Sequence, residues 1–221
     1  VFLFGDKTKY GFVLDGDESE LINMMWGNGK MGVQFSFDNE SNDNGTDKTG
    51  SSTISAAFGQ DMGFAELGVG FITGSDDSGT KDAGDDKSDM TIGVNLRRAQ
   101  SLWVFEGLLL GFEMVTGKAG DATSSEMALG LDLYNHWDIG DGTDLLFALG
   151  FGFETETTNS GQTGAKDAVE TNILLPKYTL GVETNITDWA VARAGVTNNH
   201  ALSSSNDDGT TKTGSGGDAE F

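Results

Sequence analysis

The sequence predicts an all-β chain whose antiparallel strands run up and down in one meander. Three observations predict it. Apolar side chains recur at every second position along most of the 221 residues, and almost nowhere at helical spacing. Short links and polar links alternate strictly from one end of the chain to the other. The four tryptophans, Trp26, Trp103, Trp137 and Trp189, each lie in or beside a short link.

Taken in order, strands are expected at 1–4, 9–15, 20–27, 30–38, 51–58, 63–73, 89–97, 102–116, 125–134, 143–156, 170–186, 189–199 and 218–221. In 30–38, Met31, Val33, Phe35 and Phe37 alternate with Gly32, Gln34, Ser36 and Asp38. In 63–73, Ala65, Leu67, Val69 and Phe71 alternate with Glu66, Gly68 and Gly70. In 89–97, Met90, Ile92, Val94 and Leu96 alternate with Thr91, Gly93, Asn95 and Arg97. Segment 102–116 is apolar on both faces, and its facing is ambiguous. In 125–134, Leu129, Leu131 and Leu133 face away from Gly130 and Asp132. In 143–156, Leu145, Phe147, Leu149, Phe151 and Phe153 oppose Ala148, Gly150, Gly152 and Glu154. In 170–186, Tyr178, Leu180 and Val182 oppose Thr179, Gly181 and Glu183. Pro176 has no N–H for a ladder and belongs at a strand end or bulge.

Short links are expected at 5–8, 27–30, 59–62, 98–101, 135–142 and 187–188. The polar links, 16–19, 39–50, 74–88, 117–124, 157–169 and 200–217, are rich in Gly, Ser, Thr, Asn and Asp. A meander puts successive links at opposite ends, so the short links gather at one end and the polar links at the other.

Composition excludes several function classes. The formal net charge is −22, from 35 acidic and 13 basic residues. Nucleic-acid affinity depends on Lys and Arg neutralising phosphates, so no nucleic-acid partner is expected. There is no Cys, which removes disulfides and thiolate metal sites. No stretch reaches the ~18 consecutive apolar residues of a spanning helix. The opening "VFLFGDKTKYGF" has neither a basic region nor a small-residue cleavage site. A leader removed earlier, or a chain that is a fragment, is expected.

Two aromatic belts flank a band of Leu, Val, Ile and Ala. Trp26, Trp103, Trp137 and Trp189 mark the short-link end. Phe37, Phe71, Phe112, Phe153 and Tyr178 mark the polar-link end. Amphipathic rings prefer a membrane–water interface. With the link lengths and dyad alternation, this pattern resembles the porin-like β-barrels of Gram-negative outer membranes. The stretch "ITDWAVARAGV" (186–196) is similar to a strand-start phrase of those proteins, with Trp after a tight turn and Arg pointing inward.

The resemblance implies a single transmembrane β-barrel over 1–221, located in the bacterial outer membrane, with short periplasmic turns and long extracellular loops. Its strand number is expected at 12–14, with 14 favoured. Phe221 reads as the start of a descending strand, so the chain is expected to be incomplete at its C-terminus. The inward polar positions are Gln34, Asp38, Glu66, Asn95, Arg97, Asp132, Glu154, Glu183 and Arg193. They are the candidate path lining, and the acidic excess suggests cation preference.

Asp76, Asp77, Asp82, Asp85 and Asp86 offer hard oxygen ligands to Ca²⁺, but the EF-hand order is missing, and a solvated acidic loop is the expected reading. No cofactor and no enzymatic activity are expected. His136 and His200 fall at opposite ends, and no phosphate loop, dinucleotide fingerprint or zinc spacing occurs. The leading function is a channel for passive diffusion of small hydrophilic solutes, in contact with outer-membrane lipid and lipopolysaccharide, with a homo-oligomer or a partner protein as further company. The alternatives are a structural or docking barrel that binds a partner protein, and a secreted soluble β-sandwich or lectin.

Overall fold

A computed structural model describes residues 9–15, 19–43, 48–77, 86–140, 142–187, 190–208 and 211–216. These form twelve strands: β1 Lys9–Asp15, β2 Ser19–Gly27, β3 Met31–Asp43, β4 Lys48–Asp61, β5 Glu66–Asp77, β6 Lys87–Leu102, β7 Phe105–Ala119, β8 Ala122–Gly140, β9 Thr143–Asn159, β10 Ala168–Thr187, β11 Ala190–Asp207 and β12 Lys212–Gly216. They pair in sequence order into one antiparallel sheet. Among the described residues no ladder joins β1 to β12. The described residues thus hold twelve strands, the lower end of the expected 12–14 and not the favoured fourteen. The expected strands at 1–4 and 218–221 lie outside the described residues.

The strands outrun their apolar patterns. Link 39–50 shrinks to 44–47, link 117–124 to a two-residue turn at 120–121, and link 157–169 to 160–167. The stretch 200–217, expected as a loop, continues β11 and turns back as β12, with Ser203 opposite Gly216 and Asp207 opposite Lys212. Ladder bonds need only backbone, so Ser, Thr and Asn extend a strand where no apolar side chain marks it. Cross-strand hydroxyl pairs assist: Ser52 Oγ to Ser75 Oγ at 2.9 Å and Thr155 Oγ1 to Thr171 Oγ1 at 3.3 Å. At the other end, 98–101 belongs to β6, and the turn falls at Trp103–Val104. Link 135–142 is mostly strand, since β8 runs to Gly140 and β9 begins at Thr143.

Side-chain oxygens close two of the short turns. Asn28 Oδ1 accepts from the Lys30 and Met31 amides at 3.0 and 2.9 Å, ahead of Gly29 at φ 83°. Asp61 Oδ1 accepts from the Gly63 amide at 2.7 Å, with Gly63 also at φ 83°. Such left-handed positions favour glycine because a Cβ there is crowded.

The register gives the sheet a stagger. Gly32, Gly59, Gly68, Asn95, Gly111, Gly130, Gly152, Leu174 and Ala201 stand in one row across β3 to β11. Measured from that row, the short-turn end lies about one residue away in β3, two in β5, six in β7, nine in β9 and eleven in β11. At ~3.3 Å per residue and ~4.8 Å between strands, the strands lean about 40° from the perpendicular to the line of turns.

Among the described residues no second layer covers this sheet. Only Ala65 and Leu174 are buried hydrophobics among the described residues, at 5% and 8% exposure. A two-sheet sandwich is thus not what forms. One face carries Val33, Phe58, Val69, Val94, Phe112, Leu129 and Phe153 in a single row. Phe35, Leu110, Leu131, Leu149, Phe151 and Leu180, all on that face, stand exposed. The ambiguous segment resolves: Leu108, Leu110, Phe112 and Met114 join the apolar face, and Leu109, Gly111 and Glu113 the opposite one.

The aromatics trace the same stagger. Phe37, Phe71, Phe112, Phe151 and Tyr178 step down by about two residues from each to the next, relative to the glycine row, parallel to the turns. Phe151 takes this line, and Phe153, named from the sequence, lies one step beyond it toward the polar links. At the short-turn end Trp26 and Trp137 share the apolar face, and Trp137 stacks on Phe147 with ring centroids 6.5 Å apart. Trp103 sits in its turn, 93% exposed and at φ 58°. Trp189 lies outside the described residues.

Candidate functional site

The face opposite the apolar band gathers all nine residues of the candidate path lining. Gln34 and Glu154 share one row with Ala57, Gly70, Gly93, Glu113, Ala128 and Asn172. Asn95 stands in the glycine row. Glu66, Arg97, Leu109, Asp132, Gly150 and Lys177 form the next row toward the short turns. Asp138, Asp144, Glu183 and Arg193 form another. Asp38 lies toward the polar links, in the row of Thr53, Gly74 and Asp89. The face is not wholly polar, since Ile72, Leu109, Val115 and Leu146 share it.

Among the described residues three Lys or Arg ion pairs cross this face. Arg97 Nε donates to Glu66 Oε2 at 2.8 Å between neighbouring strands β5 and β6. Arg193 Nε donates to Glu183 Oε2 at 2.5 Å between β10 and β11. Both lie within a few residues of the short turns, and all four side chains are well exposed. The third is different. Lys177 Nζ donates to Asp132 Oδ2 at 3.1 Å, from β10 to β8, passing over β9 at Gly150. Its side chains are only 26% and 16% exposed.

Glycine makes that crossing possible. A Cβ built on Gly150 would run into the Asp132 carboxylate and come within 2.6 Å of the Leu131 carbonyl oxygen. Position 150 is therefore not open space. Gly70 and Gly93 differ, since an added Cβ there meets nothing within 4 Å.

A run of carboxylates missed from the sequence completes the face. Glu126, Glu156 and Glu170 stand directly opposite one another across β8, β9 and β10. Glu113 and Glu154 lie one row nearer the glycines. None of the five meets Lys or Arg among the described residues, although Asn172 Nδ2 donates to Glu170 Oε1 at 3.0 Å. Like charges in directly opposed positions repel, a cost the fold carries here. Their facing follows from the strand register: Glu113 shares its row with Glu154, and Glu126, Glu156 and Glu170 share the next.

Among the described residues no three His, Cys, Asp or Glu are grouped to hold a metal ion. Asp76 stands opposite Lys87 in the ladder, Asp77 and Asp86 lie beside it, and Asp82 and Asp85 fall outside the described residues. The histidines stay apart. His136 Nε2 is 3.5 Å from Asp144 Oδ1 near the short turns. His200 and Asp207 lie seven residues apart on β11, about 23 Å along the strand.

No protein-family model matches the chain, and no curated protein is similar to it.

Proposed function

We propose that the sheet closes into a barrel in a bacterial outer membrane and conducts small hydrophilic solutes by passive diffusion, with mild cation preference. The observation that carries this reading is the division between the two faces. One is an uncovered apolar band edged by aromatics, and the other holds all nine polar residues named from alternation. Such a sheet leaves its apolar side in contact with water unless lipid covers it, at about 25 cal/mol for each Å² exposed. In lipid, an open edge would strand backbone N–H and C=O groups, which favours closure.

The ~40° lean supports the reading, because closure of a barrel demands tilted strands of 35–45°. Twelve strands at that tilt give a backbone radius of about 12 Å. That exceeds an eight-stranded barrel, whose interior side chains fill. The glycine row thins the wall along this path. The unpaired carboxylates Glu113, Glu126, Glu154, Glu156 and Glu170 give the path its negative potential and hence the cation preference. On this reading the short turns face the periplasm and the polar links face outward. Lipid and lipopolysaccharide would surround the apolar band, and a homo-oligomer or partner protein would meet it only by displacing them.

Reconstitution into planar bilayers tests this. Discrete conductance steps, with a reversal potential of cationic sign in a KCl gradient, are the expected result. A correctly assembled protein that conducts nothing contradicts it.

A further inference from the structure

We propose that Asp132 and Gly150 hold Lys177 against the channel wall, and that this restraint preserves the cation preference. The inference rests on the channel reading above. Asp132, Gly150 and Lys177 occupy consecutive strands in a single row, at about the middle of the β9 apolar run Leu145–Phe153. Of the other described cations on this face, Arg97 and Arg193 lie near the short turns and Lys87 near the polar links. Lys177 is the cation between them. Its long stem would otherwise carry an ammonium into the path, just below Glu113 and Glu154.

The geometry prevents this in two steps. The Asp132 carboxylate neutralises the ammonium at 3.1 Å and keeps it low on the wall. Gly150 vacates the position between them. Any side chain there would displace the Asp132 carboxylate. Gly130 helps less strictly, since its added Cβ would lie 3.6 Å from Lys177 Nζ, an ordinary contact. The irregular register between Leu174 and Lys177 brings Lys177 into line with Gly150. Gly150 and Asp132 are thus positioning residues, and Lys177 is the group they restrain.

Reversal potentials in a KCl gradient test the proposal with wild type, G150A, D132N, G150A/K177M and D132N/K177M, each checked for assembly by heat-modifiable mobility on gels. G150A changes no charge, yet its cation-to-anion permeability ratio is expected to fall about twofold, the Boltzmann factor for one unit charge ~10 Å from an ion in water. Removing the freed lysine in G150A/K177M returns the ratio to the wild-type value or above. Should G150A not assemble, D132N is expected to lower the ratio and D132N/K177M to restore it. An assembled G150A with an unchanged ratio overturns the restraint while leaving the channel intact. So does D132N with an unchanged ratio, or a double variant that restores nothing. Wild type without conductance overturns both proposals.

Discussion

At the residue scale, one buried amide anchors the short-turn end. Asn135 is 6% exposed; its Oδ1 accepts from the Glu106 amide and its Nδ2 donates to the Val104 carbonyl, each at 2.9 Å. The side chain supplies the ladder bonds that β7 and β8 do not make past Gly107 and Tyr134. Glu106 Oε2 returns a bond by accepting from the His136 amide at 2.9 Å. Truncation leaves a buried donor and acceptor unmet, so Asn135→Ala is expected to cost about 1–3 kcal/mol, read as a lower urea midpoint of the refolded protein. Neighbouring positions on β9 separate the faces more sharply. Leu149→Lys puts a charge in the middle of the apolar band and is expected to cost about 2–4 kcal/mol and block assembly in lipid. Ala148→Lys, on the polar face, is expected to leave assembly intact. Efficiency of folding into vesicles, followed by heat-modifiable mobility, compares the two.

At the element scale, the strands from β3 to β11 are longer than a bilayer crossing requires. A crossing needs about 9–11 residues, and β10 has 20. The surplus lies largely toward the polar links and is held by backbone bonds and hydroxyl pairs. Replacing residues 40–51 with an Asn-Gly turn joins the partners Asn39 and Ser52 directly. Assembly and thermal midpoint are expected to stay near wild type, because the removed hairpin carries no apolar band; a protein that then fails to assemble would place a folding role in that hairpin. The same surplus explains what was legible beforehand. Alternating Leu, Val and Phe located the apolar segments and the facing of Gln34, Glu66, Asp132 and Glu183. Alternation says nothing once both faces are polar, so β12 and the Glu126–Glu156–Glu170 row went unread. Lys177 went unread for another reason. The register shift after Leu174 changes its phase relative to the residues before Pro176, and no local pattern reports that. The Asp132–Lys177 contact joins residues 45 apart, which only the register of three strands brings together.

At the scale of the whole molecule, the turn line and the aromatic line share one stagger relative to the row of glycines, and the two faces share one division of chemistry. That division is the central claim: odd positions of β9 meet lipid, and even positions meet water. The chain contains no cysteine, so single cysteines report cleanly. The decisive measurement places them at Ala148, Leu149, Phe151, Phe153 and Glu154 of β9, and at Ala128, Leu129, Gly130 and Leu131 of β8, in protein folded into vesicles. Labelling with a membrane-impermeant maleimide is predicted at 148, 154, 128 and 130, with 149, 151, 153, 129 and 131 protected. Equal labelling on both faces, or protection of the even β9 positions, would contradict it.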